Sequence, residues 1–188
     1  KFDNETKTIN WGIWSRSGIG FQERGSTTYP VGGKKYAVYS QALGVTLTYN
    51  HFTRFRGGFA YKFYESYYRM MKELNPGIKE DVAIKNGKAF SFLLGTEFLL
   101  GRFGIDIEGG LHIKRYFYKY FYTYYENDGP LDYFLKKLFI TRLGLNLYLF
   151  KFEQNKRFNA FLSANINANF GQADFSEMSL GITYRFRK

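Results

Sequence analysis

The chain of 188 residues contains no cysteine and 3 prolines. Without cysteine there is no disulfide framework, no thiolate metal site and no cysteine nucleophile. The chain also lacks the apolar run of roughly 18 to 20 residues that a membrane-spanning helix requires, and its mean hydropathy is −0.37. A closed β-barrel is therefore the architecture that remains for a membrane-spanning interpretation of this sequence.

Aromatic residues, glycine and positive charge are abundant. The chain has 21 Phe, 17 Tyr, 20 Gly and a net charge of +11. This charge suggests nucleic acid, anionic lipid or phosphate-bearing glycolipid as partners. The length fits one domain, which we place at residues 1–188. The start at Lys1, without an apolar targeting stretch, fits an exported protein whose signal peptide has been removed and equally fits a cytosolic protein.

A long alternation of apolar and polar residues runs from Phe158 to Phe170. The even positions are apolar, and the odd positions are mostly asparagine. Because successive side chains of a β-strand point to opposite faces, this segment predicts a two-faced strand. About twelve steps of about 3.3 Å, tilted by about 40°, give an apolar band roughly 30 Å tall, close to the hydrocarbon thickness of a bilayer.

The same period of two recurs in eight segments. The sequence therefore predicts an all-β fold, an eight-stranded antiparallel up-and-down transmembrane β-barrel. The predicted strands cover residues 9–22, 36–50, 54–67, 90–100, 103–114, 139–149, 158–170 and 177–186. Short and long connections alternate along most of the chain. This pattern is typical of outer-membrane barrels, which have short periplasmic turns and long external loops.

Glycines on the polar face indicate which face lines the barrel. Most glycines of the predicted strands share that face. The interior of an eight-stranded barrel is barely wide enough for side chains, so small residues are needed on its concave face. The Leu, Ile and Phe face then meets lipid. Aromatic residues gather at both strand ends as two interfacial girdles, with Tyr67 and Phe117 at the long-loop end.

With this pattern, the chain resembles the small eight-stranded outer-membrane β-barrel proteins of Gram-negative bacteria. The resemblance spans nearly the whole chain. Residues 181–186, Gly-Ile-Thr-Tyr-Arg-Phe, look like the terminal-strand signal by which such barrels are recognised for assembly. The resemblance implies a monomeric protein of the cell outer membrane that crosses the bilayer with many strands.

Charged residues on the predicted inner face are expensive to bury unless they find partners. We expect them to form a plug of ion pairs and hydrogen bonds, with a narrow polar pore or an internal anion site as the alternative. The predicted lumen network comprises Arg16, Arg54, Arg56, Lys62, Glu97, Asp106, Glu108, His112, Lys114, Arg142, Glu177 and Arg185.

An enzymatic alternative comes from outer-membrane barrels that hydrolyse acyl chains of lipid A. Their motif is His-x-Ser on a strand, with a carboxylate that orients the histidine. Neither His51 nor His112 is followed by such a serine, although Thr53 supplies a hydroxyl after His51. Asp106 and Glu108 share a face with His112, and we expect an interior histidine there. We predict no catalytic residue, no cofactor and no metal site.

Cations and aromatic rings are interleaved between Lys114 and Tyr125. Such a mixture also occurs in platforms that bind single-stranded nucleic acid. The continuing alternation favours instead a strand that projects beyond the outer leaflet, with no nucleic acid as partner. There the cations contact lipopolysaccharide phosphates and the tyrosines occupy the headgroup zone. The predicted contact residues are Arg115, Lys119, Tyr116, Tyr118 and Tyr120.

Three functions stay open at this point. The leading hypothesis is a non-enzymatic integral outer-membrane protein with a side-chain-filled polar lumen. Its basic, Tyr-rich outer rim contacts lipopolysaccharide, or an external protein or small molecule at the long loops. The second is a lipid A or phospholipid acyl hydrolase. The third is a soluble barrel that carries an apolar ligand, which requires the glycines to face solvent.

Overall fold

The computed structural model describes residues 9–23, 34–50, 52–118, 130–154, 156–169 and 172–186. The eight strands of these residues are β1 Ile9–Glu23, β2 Lys35–Tyr49, β3 Thr53–Tyr64, β4 Lys88–Leu100, β5 Phe103–Arg115, β6 Phe139–Tyr148, β7 Phe158–Asn169 and β8 Gln172–Arg185. The helices are α1 Glu65–Leu74, α2 Glu80–Gly87 and α3 Pro130–Leu138, with a short 3-10 helix at Phe152–Gln154. Across the described ranges, each helix is too short or too polar to span a bilayer.

The strands close into one barrel in chain order. Each strand pairs antiparallel with the next, and β1 also pairs with β8. Ser15, for example, lies opposite Leu43 of β2 and opposite Ile182 of β8. The predicted all-β, eight-stranded antiparallel up-and-down barrel is confirmed. Closure pairs every strand on both sides, so the sheet has no free edge.

The two faces of the strands differ in exposure as the sequence predicts. Burial alternates at every residue of β6, and the other strands follow the same period with local interruptions. Outward Leu180 is 68% exposed, whereas inward Glu97 and Asp106 are fully buried. The predicted orientation is therefore confirmed. A carrier of an apolar ligand needs the reverse arrangement, which the burial of the described strands contradicts.

Glycines on the inner face leave room for larger neighbours. A Cβ atom at Gly104 would overlap the Glu97 carboxylate, and one at Gly181 would overlap the Phe161 ring. Both glycines face the lumen, where strands and side chains crowd together. The glycine pattern thus reflects the space taken by inward charges and rings.

Helices occupy the β3–β4 connection and the described part of the β5–β6 connection, whereas a tight turn joins β4 to β5. The two-residue turn Gly101-Arg102 joins β4 to β5, and Gly101 has a φ of +62° that glycine adopts without strain. In contrast, β3 ends at Tyr64, and α1 takes residues that the sequence predicts as strand. At the same end, β8 begins at Gln172, earlier than predicted, and carries Phe175 on its inner face.

One extra residue in β5 reverses the faces near its end. Phe90 pairs with Lys114 and Ser91 pairs with His112, so Ile113 has no counterpart on β4. Such a bulge places two successive side chains on the same side of the sheet. Ile113 and Lys114 are both exposed, and the next residue in β5 points inward. The prediction that Lys114 lies in the lumen network is therefore wrong.

Candidate functional site

Buried ion pairs cross the lumen at the centre of the barrel. Arg16 on β1 donates to Glu108 on β5 through Nη1···Oε1 and Nη2···Oε2 contacts of 2.7 and 2.6 Å. Arg142 on β6 donates from Nη1 to Asp106 Oδ2 at 2.6 Å and to Glu108 Oε2 at 3.2 Å. Because β1 and β5 form opposite walls of the barrel, these bonds fill its width.

A second group of bonds surrounds Glu97 on β4. Its Oε2 atom accepts from Arg56 Nη2 at 2.6 Å and from Arg54 Nη1 at 3.0 Å. Its Oε1 atom accepts from Asn146 Nδ2 and from the Tyr148 hydroxyl, both at 2.6 Å. Four donors therefore offset the cost of removing this carboxylate from water.

Arg56 joins the two groups, since its Nη1 atom lies 3.2 Å from Asp106 Oδ2. The resulting network sets four guanidiniums against three carboxylates: Arg16, Arg54, Arg56 and Arg142 against Glu97, Asp106 and Glu108. Every member is buried. The chemistry available here is fixed charge pairing, which holds neighbouring and opposite strands together.

An apolar layer packs beside this network. Trp14 is an apolar residue on the otherwise polar inner face of β1. It forms a buried cluster with Ala42, Ala60, Leu93 and Ile140. The guanidinium carbons of Arg16 and Arg56 lie 5.0 and 5.5 Å, respectively, from the centroid of the Trp14 ring. Rings and guanidiniums in this arrangement attract one another. The lumen at this level is therefore occupied by side chains.

Lys62 and Glu177 lie closer to the long-loop end and are linked through one amide. Lys62 Nζ donates to Asn167 Oδ1 at 2.8 Å, and Asn167 Nδ2 donates to Glu177 Oε2 at 3.2 Å. Lys62 Nζ also lies 4.7 Å from the centroid of the Phe175 ring. The structure thus places these two predicted lumen residues inside the barrel, in a cluster of their own.

His112 contacts a hydroxyl that the sequence analysis missed. Its Nδ1 atom lies 2.8 Å from Ser91 Oγ, and its Nε2 atom lies 3.5 Å from Asn169 Oδ1. Ser91 sits on the neighbouring strand, so the cross-strand register is the signal that identifies it. Asp106 and Glu108, expected near this ring, bind arginines instead. Both partners of the Ser91–His112 contact are buried and face the lumen.

At the long-loop end, α1 contributes to a stack of rings in the barrel mouth. Tyr67 of α1 lies between Tyr64 and Phe117, with centroid distances of 4.8 and 4.1 Å. Arg115 donates from Nη2 to the Tyr67 hydroxyl at 3.1 Å, and the same atom lies 3.7 Å from Asp174 Oδ2. Tyr67 and Phe117, expected in an outer girdle, therefore belong to this stack in the barrel mouth.

The bulge also changes the predicted glycolipid contacts. Arg115 is 6% exposed, and its guanidinium carbon lies 4.0 Å from the ring centroid of buried Tyr118. The outward orientation expected for these two side chains is therefore wrong. Tyr116 is half-buried, with Lys85 Nζ 4.8 Å from its ring centroid. The remaining predicted contacts, Lys119 and Tyr120, lie outside the described residues, as does His51.

The short-turn end has a different character. Arg185, predicted in the lumen network, is half-buried here and lines a cleft with Arg54, Lys151, Lys156 and Arg157. The described lining residues of this cleft include no acid. One end of the barrel thus carries packed rings in its mouth, and the other presents concentrated positive charge.

The described residues hold no group of three or more histidine, aspartate or glutamate side chains arranged to bind a metal ion. The interior instead offers ion pairing and hydrogen bonding among fixed side chains. In comparisons with known proteins, no family model and no curated sequence matches the chain.

Proposed function

We propose that the chain is an integral outer-membrane β-barrel protein without enzymatic activity, a closed monomeric scaffold whose lumen is filled by its own side chains. One observation carries the proposal: the described strands expose leucine, isoleucine and phenylalanine around the barrel and bury the network of charges. Soluble monomers rarely expose an apolar patch of more than a few hundred Å². A continuous exposed belt is therefore best matched by a lipid environment.

The dimensions of the belt support this environment. The strands contain 10 to 15 residues, which corresponds to roughly 25 to 38 Å across a bilayer at about 3.3 Å per residue and a tilt of about 40°, a range that includes the hydrocarbon thickness of about 30 Å. Leu180 lies near the middle of β8, opposite Leu162 of β7. The most exposed apolar side chain of the strands thus falls at the expected membrane midplane.

The long connections then face outward, and exposed cations at that end suit lipopolysaccharide phosphates. The bulge places Lys114 outside the barrel at the end of β5. Lys35 at the start of β2 and Lys137 at the end of α3 are also exposed at this end. Cations near an anionic membrane surface attract phosphate. Lys114 replaces Arg115 as the principal contact of the proposed rim.

Acyl hydrolysis requires a nucleophile that the lipid reaches. The Ser91–His112 pair faces the lumen, and its side chains are buried. Expression of the protein in a Gram-negative host is therefore expected to leave lipid A acylation unchanged, as measured by mass spectrometry of extracted lipid A. Loss of an acyl chain would contradict the non-enzymatic role.

Flotation tests the membrane placement. The protein, refolded with phospholipid vesicles, is expected to rise with them through a density gradient and to give a β-type circular dichroism spectrum. In detergent-free buffer it is expected to aggregate, because water then covers the apolar belt. A monodisperse, folded protein in buffer alone would overturn the proposal.

A further inference from the structure

The helix α3, at the long-loop end of the barrel, is amphipathic. At about 100° per residue, its leucines and its phenylalanine fall within one stripe about 100° wide. Its two lysines, Lys136 and Lys137, fall outside that stripe. The stripe comprises Leu131, Phe134, Leu135 and Leu138. A helix with lysine on one side and leucine and phenylalanine on the other is typical of a membrane interface.

The exposure of the stripe changes along the helix. Leu131 is 68% exposed and Phe134 is 54% exposed, whereas the last two residues of the stripe are half-buried. The helix contacts β5, β6 and β7, and the Lys136 carbonyl accepts from Arg115 Nη1 at 3.4 Å. The last turn of α3 is thus held against the barrel, and the earlier part of the stripe is exposed.

The helix α1, at the same end, packs its apolar residues inside the protein. Met70 and Met71 of α1 are buried in a cluster with Ala83 of α2 and with Phe117. The hairpin of α1 and α2 therefore has an apolar core of its own. By contrast, the exposed part of the α3 stripe has the surface of a helix that packs against its surroundings.

The helix α3 is continuous with the apolar outer wall of the barrel. The strand β6 begins at Phe139, directly after α3, and Phe139 is exposed and pairs with exposed Leu111 of β5. Three residues farther along β5, toward the loops, Lys114 is exposed. The outer wall thus changes from apolar side chains to a cation at the level where α3 joins it. This order matches a leaflet whose acyl chains lie beneath anionic headgroups.

We infer that α3 is an interfacial helix that inserts Leu131 and Phe134 among the acyl chains of the outer leaflet. The placement rests on the proposed function, since α3 meets lipid only if the belt of the barrel lies in a bilayer. The rim then has an apolar contact with lipid chains in addition to the contact of its cations with phosphate. Interfacial helices bury their apolar face about 5–10 Å into the boundary between headgroups and acyl chains, so α3 contacts the upper part of the chains.

Single-cysteine labelling tests this insertion in the whole protein, because the chain has no native cysteine. Leu131→Cys and Phe134→Cys are each labelled with the polarity-sensitive fluorophore NBD. The labelled proteins are reconstituted into vesicles of phosphatidylcholine and phosphatidylglycerol with lipid in large excess. Lys137→Cys, exposed on the same helix but outside the stripe, is the matched control, and Leu180→Cys reports on the belt. Circular dichroism checks that each labelled variant keeps its β-type spectrum.

Both stripe labels are expected to emit at a shorter wavelength than the label at position 137. A nitroxide near the headgroup end of the lipid chains should quench them at least about twofold more strongly than that control. Equal quenching of the stripe and control labels would overturn the inference. Emission at a shorter wavelength without quenching by lipid nitroxides would show that protein covers the stripe, and would overturn it as well.

The label at position 180 separates this inference from the proposed function. A nitroxide near the end of the acyl chains is expected to quench it most, because Leu180 lies at the expected midplane of the bilayer. If this label is quenched and the stripe labels are not, the insertion of α3 alone is wrong. If this label also escapes quenching, the proposed membrane placement is wrong too.

Discussion

The inner and outer walls of this barrel are built from the same strands and obey different rules. On β5, Asp106 and Glu108 point inward and pair with arginines at 2.6 to 3.2 Å, whereas Ile105 and Ile107 point outward and are exposed. Inside, each charge depends on a particular partner at a particular distance. Outside, in the proposed membrane placement, an apolar side chain of almost any shape suffices, because lipid adapts to it. Sensitivity to substitution should therefore be specific inside and dependent on depth outside.

The difference follows from how the side chains of each wall lose contact with water. An inward charge has already lost water, so its partners must replace those interactions in full. In the proposed membrane placement, an outward leucine loses water to the surrounding bilayer, so its contribution depends on the environment and not on a neighbour.

The largest effect is expected for Glu97→Gln on the inner wall. The substitution removes the negative charge shared by Arg54 and Arg56, which leaves Arg54 without its carboxylate partner and Arg56 with longer contacts to two other carboxylates. Breaking a buried pair in this way costs about 3–5 kcal/mol. Denaturant unfolding of the vesicle-embedded protein measures the loss. Exposed Glu153→Gln is the matched control, with a change within about 0.5 kcal/mol. Equal effects would show that the network does not support the barrel.

On the outer wall, position along the strand should decide the cost of a charge. Leu180→Arg places a cation at the expected midplane and should cost about 2–4 kcal/mol, whereas Phe103→Arg, at the short-turn end of β5, should cost about 0–1 kcal/mol. The two side chains are similarly exposed, at 68% and 59%, so exposure alone predicts no difference. The same unfolding assay compares them. Equal costs would remove the depth dependence and, with it, the proposed belt.

Much of this contrast is predictable from the period of two. Alternation identified the eight strands and the two faces, and Trp14 was already visible as an apolar residue of the inner face. The helix α1 was missed because Phe59, Tyr61 and Phe63 carry the strand alternation up to its start. The spacing of Tyr67, Met70 and Met71 fits a helix, and that signal was available.

The register could not be obtained from one strand at a time. Ile113, Lys114 and Arg115 continue a plausible alternation, and nothing in their order marks an extra residue. A bulge is defined by the pairing with β4, as is the contact between His112 and Ser91. Local patterns therefore predicted the barrel well, whereas the contacts at its long-loop end required the neighbouring strands.

The bulge provides two adjacent cations at one level of the barrel, one on the outer wall and one on the inner wall. Their substitutions therefore test the two walls separately. Lys114→Gln removes an exposed cation of the proposed rim and should weaken lipopolysaccharide binding about fivefold, equivalent to about 1 kcal/mol per cation at an anionic surface. Arg115→Gln removes a buried cation that donates a hydrogen bond to Tyr67. It should destabilise the barrel and leave the affinity for lipopolysaccharide unchanged. Titration of lipopolysaccharide into nanodisc-embedded protein measures both affinities. The reverse result would restore Arg115 to the rim and contradict the bulge.

The smallest effect concerns the hairpin that α1 and α2 form at the long-loop end of the barrel. Two hydrogen bonds lower the pKa of Glu80 from its ordinary value of 4.5: the one from Lys72 contributes most, and the one from Tyr68 contributes next. Because the folded-state pKa is depressed, the contribution of this contact is present above pH 4.5 and is lost as the pH falls through the folded pKa. Solvent screens this exposed pair, so the change should be confined to the hairpin.

Limited proteolysis of the α1–α2 connection at pH 6 and at pH 3.5, with an acid-tolerant protease, measures this loss against the rest of the barrel. The wild-type connection should be cut faster at the lower pH, relative to an unstructured reference peptide. Glu80→Gln should be cut at similar relative rates at both values, whereas Asp81→Asn, one residue along α2, should keep the wild-type dependence. If Glu80→Gln kept the full dependence, the acid response would come from the network inside the barrel, and the inner wall would then be the pH-sensitive part of the molecule.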